Sequence, residues 1–185
     1  MTARTEEFWT LANYLTLFRI AAIPLVAGLL LFYPGKWPSF AAALIFFLGA
    51  VSDVLDGYLA RRRNTVSNMG KLLDPLADKL LVGTSLILLI PLGYVSAWIV
   101  AVIIGRELAV TTLRGVAGAQ GVIIAANPLG KMKAIAQLAA TNLLILHYPF
   151  FSIPIHELGT FLLWTALALT IWSGADYFIR YLKNA

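Results

Sequence analysis

The stretches D-V-L-D-G-Y-L-A-R (Asp53–Arg61) and G-K-L-L-D-P-L-A-D (Gly70–Asp78) concentrate acidic residues in a chain that is otherwise mostly apolar. Their polar and small positions are aspartates, glycines and one arginine, namely Asp53, Asp56, Asp74, Asp78, Gly57, Gly70 and Arg61. On a helix, spacings of three and four residues place the aspartates and the glycine of each stretch on one face. The sequence therefore predicts two helices that present carboxylates to a common site.

Four carboxylates on two neighbouring helices need partners, because an aspartate at the centre of a membrane helix costs roughly 2.5–3.5 kcal/mol. Two hard divalent cations would balance them, as in sites that clamp the attacking and leaving oxygens of a phosphoryl transfer. Gly57 and Gly70 would let a bulky ligand approach the helix backbones, and Arg61 suits a phosphate group. The alternative is that the aspartates end helices at the water interface while the glycines only help the helices to pack.

The combined pattern D-x-x-D-G-x-x-A-R, then eight residues, then G-x-x-x-D-x-x-x-D, resembles the signature of the CDP-alcohol phosphotransferase family. The order of the apolar segments is also similar to the six-helix plan of that family. The resemblance implies two divalent metals, Mg²⁺ or Mn²⁺, and a homodimer. It also implies that Asp78 is both a metal ligand and the general base, with the full ligand set being Asp53, Asp56, Asp74 and Asp78.

The first apolar segment opens with N-Y-L-T-L-F-R, which places Asn13, Thr16 and Arg19 at intervals of three residues, broadly on one polar stripe. This element is similar to the family's N-terminal N-x-x-T-x-x-R, which helps to hold the cytidine nucleotide, although Ala12 stands where the family often has proline. An alternative is that the first two side chains only cap or pack a helix. The resemblance implies a nucleotide site formed by Asn13, Thr16, Gly57, Arg61 and Gly70.

The composition is that of a membrane protein, since 60% of the 185 residues are apolar and only 12% are charged. The absence of cysteine excludes disulfides, thiolate metal sites and a cysteine nucleophile. The net charge of +5 does not indicate nucleic acid, because the basic residues cluster at the ends of apolar runs. We expect one domain over residues 1–185, an all-α integral membrane protein.

Six apolar segments are long enough to cross a bilayer, at about residues 11–33, 40–62, 70–92, 97–116, 128–147 and 158–181. Before them, residues 2–10 are expected to form a short interfacial helix or a partly ordered tail. A turn is predicted at 33–39 and a loop at 115–127. Pro75 lies either in the first turn of a helix that starts near Asp74 or at a break in a helix beside the aspartates.

The stretch G-R-E-L-A-V-T-T-L-R-G, together with G-K-M-K-A-I-A-Q further on, resembles the glycerol 3-phosphate branch of the family. That resemblance implies that the acceptor phosphate is held by Arg106, Arg114, Lys131 and Lys133. These side chains could instead be basic residues of the cytoplasmic surface. Glu107 either pairs with a basic neighbour or takes part in the site, since an acidic group inside a membrane helix needs a partner.

The predicted reaction transfers the phosphatidyl group of CDP-diacylglycerol to glycerol 3-phosphate and gives phosphatidylglycerophosphate and CMP. One alternative is the same chemistry with another acceptor, such as inositol phosphate, serine or phosphatidylglycerol. An alternative of another class is a membrane cation transporter, which would also need polar groups in the outer halves of the helices. Those halves carry almost none.

The distribution of basic residues predicts the orientation. With six spans both termini lie on one side of the membrane, and that side holds every lysine and arginine except Lys36. Because positive residues accumulate in cytoplasmic loops, we expect the termini and the aspartates on the cytoplasmic side of the cell membrane.

Overall fold

The computed structural model describes residues 11–33, 35–63, 68–120, 128–149 and 152–184, with the backbone alone at 11–15, 53–75 and 183–184. Within these ranges the chain forms six helices and no β-strand. The helices are α1 (Leu11–Phe32), α2 (Lys36–Arg63), α3 (Asn68–Leu89), α4 (Ala97–Ala119), α5 (Pro128–Leu146) and α6 (Ile155–Asn184). The predicted all-α fold class is confirmed, whereas the predicted interfacial helix at 2–10 lies outside the described residues.

Several helix boundaries differ from the sequence prediction, and three of them are informative. Helix α2 begins at Lys36, inside the predicted turn, because Pro38 occupies the first helical turn, where its missing N–H leaves no bond unmade. Helix α4 continues to Ala119, so the first five residues of the predicted loop at 115–127 are helical. Helix α3 begins at Asn68 and runs through position 75, so a helix start near Asp74 was the wrong alternative.

The helices form one bundle around a shared apolar core. Helix α1 packs against α2 and α3, helix α5 packs against α6, α2 and α3, and helix α4 closes the bundle against α6 and α3. Aliphatic side chains and one phenylalanine from all six helices are buried together, including Val26, Phe46, Leu81, Leu86, Ile103, Leu144, Ile145 and Leu167. This core fixes the relative positions of the helices that carry the predicted site.

Two polar contacts connect helix α2 to its neighbours inside this core. Arg19 of α1 is fully buried, and its Nε donates to the carbonyl oxygen of Gly49 at 3.2 Å. Asn142 of α5 donates through Nδ2 to the carbonyl oxygen of Ala43 at 2.7 Å. Because buried polar groups are stable only when they are hydrogen-bonded, these contacts hold α1 and α5 against opposite parts of α2.

Side-chain contacts at both ends of the bundle show the directions in which the helices run. At the end where α3 connects to α4, the ring of Tyr94 lies 4.3 Å from that of His147 and 5.7 Å from that of His156. At the other end, where α4 leads towards α5, Tyr181 donates to the side chain of Gln120 at 3.2 Å. Cross-contacts at both ends therefore follow the alternating, antiparallel direction of the helices.

Large apolar side chains also cover much of the outer surface, with Phe161, Trp172 and Leu25 each more than half exposed. In the part of the chain that the structure describes, one helix is long and apolar enough to cross a membrane, Ile155–Leu182. The ranges Thr16–Phe32 and Lys36–Ser52 form shorter apolar helices. An exposed apolar surface of this extent indicates contact with lipid or with another apolar partner.

The close approach of α5 and α6 gives a test of this packing. A Cβ at Gly159 would lie 3.0 Å from Leu144 Cγ and 3.2 Å from Leu143 Cβ, whereas a Cβ at Gly28 would meet nothing within 4 Å. We expect Gly159→Ala to lower the free energy of unfolding by about 1–3 kcal/mol through overpacking. Gly28→Ala should leave it unchanged or raise it, because alanine is the better helix former. Thermal unfolding in detergent measures both, and equal midpoints would contradict this packing.

Candidate active site

A cavity of about 270 Å³ lies between helices α3, α4 and α5. Its polar lining comes from Asp78, Lys79, Thr84, Glu107, Lys133 and Gln137. Of its charged residues, Lys133 lies in the first half of α5, and Asp78, Lys79 and Glu107 lie near the midpoints of α3 and α4. Further along the helices the lining is apolar, with Val82, Ile87 and Ile103 among the residues that contribute. The cavity therefore has a charged end and an apolar end, which suits a ligand with a polar head and an apolar remainder.

The predicted general base, Asp78, is one of the residues that line this cavity. It lies on α3, is half-buried and shares the cavity lining with Lys133 of α5. A carboxylate and an ammonium group are thus held on facing helices with space for a small polar molecule. This is the arrangement required if one group is to accept a proton while the other binds an anion.

Glu107 joins two cations from different helices. Its Oε1 accepts a hydrogen bond from Arg106 Nη1 at 3.0 Å and another from Lys133 Nζ. The three side chains are largely buried, with exposed fractions of 21%, 13% and 6% for Glu107, Arg106 and Lys133. Of the two alternatives for Glu107, pairing with a basic neighbour is confirmed. Because charges withdrawn from water are stable only when paired, Glu107 supplies the counter-charge that both cations need inside the bundle.

Helix α6 holds the other side of Arg106. Its Nη2 donates to Ser173 Oγ at 2.8 Å, and the guanidinium lies 5.9 Å from the ring centre of Tyr177. A Cβ at Gly174 would approach Arg106 Cγ to 3.1 Å, so the absence of a side chain there makes room for the arginine. Arg106 Nε is buried and has no hydrogen-bond partner among the described residues. This nitrogen lies against α6, since a Cβ at Gly174 would be 3.5 Å from it, and Arg106 is not among the residues that line the cavity.

Lys79 also lines the cavity, although its position next to Asp78 in the sequence does not indicate this. It is about 100° around the helix from Asp78, but α4 packs on that side of α3. Its Nζ donates to Thr111 Oγ1, and that hydroxyl donates in turn to the carbonyl oxygen of Glu107 at 2.6 Å. A rule based on one helix alone could not find this contact, because the partner lies on another helix.

The acceptor candidates separate into two pairs. Arg106 and Lys133 are brought together through Glu107, and Lys133 lines the cavity. Arg114 and Lys131 are exposed and are not among the residues that line it. The sequence placed all four in one group, and the structure distinguishes an inner pair from an outer pair.

The two aspartate-containing stretches are helical, as predicted, at the end of α2 and in the first half of α3. Thr16 is buried on α1, which packs against both of these helices. Among the described side chains no group of three or more His, Cys, Asp or Glu residues could hold a metal. The remaining predicted metal and nucleotide ligands lie outside the described side chains, namely Asn13, Asp53, Asp56, Gly57, Arg61, Gly70 and Asp74.

Residues 9–172 match the family model of the CDP-alcohol phosphatidyltransferases. The chain belongs to this family. The resemblance seen in the aspartate pattern is therefore confirmed by a match that extends over most of the chain. Family membership makes this chain an enzyme of the CDP-alcohol phosphatidyltransferase class, and it identifies the helices around the cavity as parts of the family domain.

Curated CDP-alcohol phosphatidyltransferases similar to this chain cover nearly its full length. The CDP-diacylglycerol–glycerol-3-phosphate 3-phosphatidyltransferase of Bacillus subtilis is 41% identical over 93% of this chain and 95% of its own length. The enzyme of the same name from Rickettsia bellii is 39% identical over 91% and 93%. A probable phosphatidylglycerophosphate synthase of Mycobacterium tuberculosis is 38% identical over 94% and 82%.

The pairing around Glu107 predicts unequal costs for two carboxylate deletions. Glu107→Ala would leave two largely buried cations without a counter-charge, and we expect a loss of about 3–5 kcal/mol in the free energy of unfolding. Asp176→Ala is the matched control, because Asp176 pairs with Arg180 at 2.9 Å but that arginine is 49% exposed. The control should cost no more than about 1 kcal/mol. Similar unfolding midpoints for the two variants in detergent would show that Glu107 does not stabilise the fold by pairing with the two cations.

Proposed function

We propose that this chain transfers the phosphatidyl group of CDP-diacylglycerol to the primary hydroxyl of glycerol 3-phosphate, giving phosphatidylglycerophosphate and CMP. The observation that carries the proposal is the charged end of the cavity, which Asp78, Lys133 and Glu107 line and where Glu107 also pairs with Arg106. A base beside paired cations fits an acceptor that has both a hydroxyl and a phosphate. The names of the similar enzymes from Bacillus subtilis and Rickettsia bellii support the same donor and acceptor.

The donor end of the site is formed by the aspartates of α2 and α3. Carboxylate oxygens at helical spacing are the donor set that hard divalent cations prefer, and Asp78 lies at the cavity as such a ligand should. Asp53, Asp56, Asp74 and Asp78 would hold two cations, Mg²⁺ or Mn²⁺, which when bound supply positive charge to the pyrophosphate and to the departing CMP oxygen. We assign the nucleotide to Asn13, Thr16, Gly57, Arg61 and Gly70.

The acceptor end is formed by the cations of α4 and α5. Lys133 has three N–H donors, and Glu107 takes one of them, so the ammonium can also donate to a phosphate. Arg106 adds its positive charge from behind Lys133, to which Glu107 links it. Glu107, Arg106 and Lys133 together carry one net positive charge, which attracts the acceptor phosphate. Arg114 and Lys131 add positive charge from the exposed surface.

Asp78 carries the proton in the reaction. It accepts the proton of the primary hydroxyl, and the hydroxyl oxygen bonds to the β-phosphorus as the bond from that phosphorus to the CMP oxygen breaks. Arg106 and Lys133 orient the acceptor so that this oxygen faces the phosphorus. The phosphatidyl group passes directly to the acceptor, and the protonated Asp78 returns its proton to solvent after the products leave.

The membrane arrangement is part of the proposal. We infer that all six helices span the cell membrane as a single domain of residues 1–185, with both termini and the charged end of the cavity on the cytoplasmic side. The alternating direction of the helices, the exposed apolar side chains and the basic residues near one end of the bundle support this arrangement. The acyl tails of the donor would enter from the bilayer, and the enzyme would act as a homodimer.

CMP release from labelled CDP-diacylglycerol tests the function. Purified protein should release CMP in the presence of Mg²⁺ or Mn²⁺ and glycerol 3-phosphate, and much less with inositol phosphate or serine. Asp78→Asn should lower the rate by a factor of about 10²–10⁴, the usual contribution of a general base, while CMP binding is largely kept. Asp176→Asn is the control and should keep normal activity, because Asp176 pairs with Arg180 and does not line the cavity.

Three results of this assay would contradict the proposal. Turnover with inositol phosphate in place of glycerol 3-phosphate would change the acceptor. Full activity of Asp78→Asn would remove the general base. Metal transport without CMP release would favour a cation transporter.

The two pairs of cations should differ in their effect on the acceptor. Lys133→Met removes a charged hydrogen bond worth about 1.5–3 kcal/mol, so KM for glycerol 3-phosphate should rise about 10- to 100-fold. Arg114→Ala and Lys131→Ala should raise it only a few-fold, because exposed charges are screened by solvent. In all three variants KM for CDP-diacylglycerol should change less. Steady-state kinetics with each substrate varied in turn measures this, and equal effects on both KM values would remove these residues from the acceptor site.

A further inference from the structure

Gln137 is a polar cavity residue that has no role in the reaction described above. It lies one turn after Lys133 on α5, so the two side chains share a helix face. Its exposed fraction is 6%, and it lines the cavity together with Asp78 and Lys133. Its Oε1 is buried and has no hydrogen-bond partner in the part of the chain that the structure describes.

An amide in this position is expensive. A buried carbonyl oxygen without a donor costs about 1–3 kcal/mol, and the large majority of buried polar atoms do have a partner. Leucine or methionine would fill a similar volume next to Leu138 and Ile103 without that cost. The other amide side chain of this helix, the half-buried Asn142, does have a partner, the carbonyl oxygen of Ala43 at 2.7 Å. The unmet bond of Gln137 therefore indicates a ligand group that hydrogen-bonds to it.

The neighbours of Gln137 define the chemistry of that group. Lys133 and Arg106 take the acceptor's phosphate and Asp78 takes its primary hydroxyl, so one polar group of glycerol 3-phosphate is left, the secondary hydroxyl between them. A hydroxyl both donates and accepts. The terminal torsion of glutamine is soft, so the amide can turn either its oxygen or its nitrogen to the cavity.

We propose that Gln137 hydrogen-bonds to the secondary hydroxyl of the acceptor and is a specificity-determining residue. The inference rests on the proposed function. Its consequence is selection against phosphorylated alcohols that lack this hydroxyl, because such an acceptor leaves the buried amide unpaired inside the site. Sites built to hydrogen-bond a substrate hydroxyl discriminate strongly against the analogue without it.

The test compares two acceptors and three proteins. The acceptors are glycerol 3-phosphate and 3-hydroxypropyl phosphate, which has the same length but no secondary hydroxyl, and the readout is the ratio of their kcat/KM values. Wild-type protein should prefer glycerol 3-phosphate by at least about tenfold. Gln137→Met should reduce the ratio to about one or two, mainly by lowering kcat/KM for glycerol 3-phosphate. Asn142→Leu, which removes the paired amide of the same helix, should keep the wild-type ratio.

The outcomes separate this inference from the function on which it rests. If wild-type protein releases no CMP with glycerol 3-phosphate, the proposed function fails and the inference falls with it. If wild-type protein turns over both acceptors with a ratio near one, the function stands and the inference is overturned, whether or not the variant folds. A wild-type ratio retained by folded Gln137→Met also overturns it, because the discrimination then comes from another group.

Discussion

The stability of the bundle depends on the pairing of the charged side chains in its apolar interior. Glu107 places one carboxylate oxygen between the guanidinium of Arg106 and the ammonium of Lys133, and these groups come from two helices. Ser173 brings in a third helix through Arg106. Each cation alone would carry a desolvation cost of several kcal/mol. The shared carboxylate makes the burial possible, and it also fixes α4, α5 and α6 around the cavity that Asp78 enters from α3.

The helical fold follows from the sequence because its causes are local. Long apolar runs separated by short polar connections predict six helices, and six are found in the described ranges. The boundaries were less predictable. The segment Y-P-G-K-W-P-S contains residues that favour a turn, yet Pro38 is also a good residue for the first turn of a helix. Small residues at 115–119 are compatible with either a loop or a helix, and continuity with α4 decides for the helix.

The site could be predicted only as far as single-helix geometry reaches. Spacing along one helix predicts that the aspartates share a face, and it led to the expectation that Asp78 belongs to a site. Spacing could not show that Lys133 and not Lys131 lines the cavity, because Lys133 pairs there with Glu107 on another helix. The same limit explains Lys79, whose partner Thr111 lies on α4. Gln137 ends the quoted stretch G-K-M-K-A-I-A-Q, but its unmet hydrogen bond is visible only when the surrounding side chains are in place.

The contact between Arg106 and Ser173 couples the site to its surroundings. Ser173 and Gly174 lie on α6, and within the described residues this is the helix whose length and composition fit a bilayer. A guanidinium that is packed across Gly174 must follow that helix when it slides or tilts. A tilt of α6 relative to α4, which a change in membrane thickness can cause, would therefore act on the Arg106 side chain through Ser173 and Gly174.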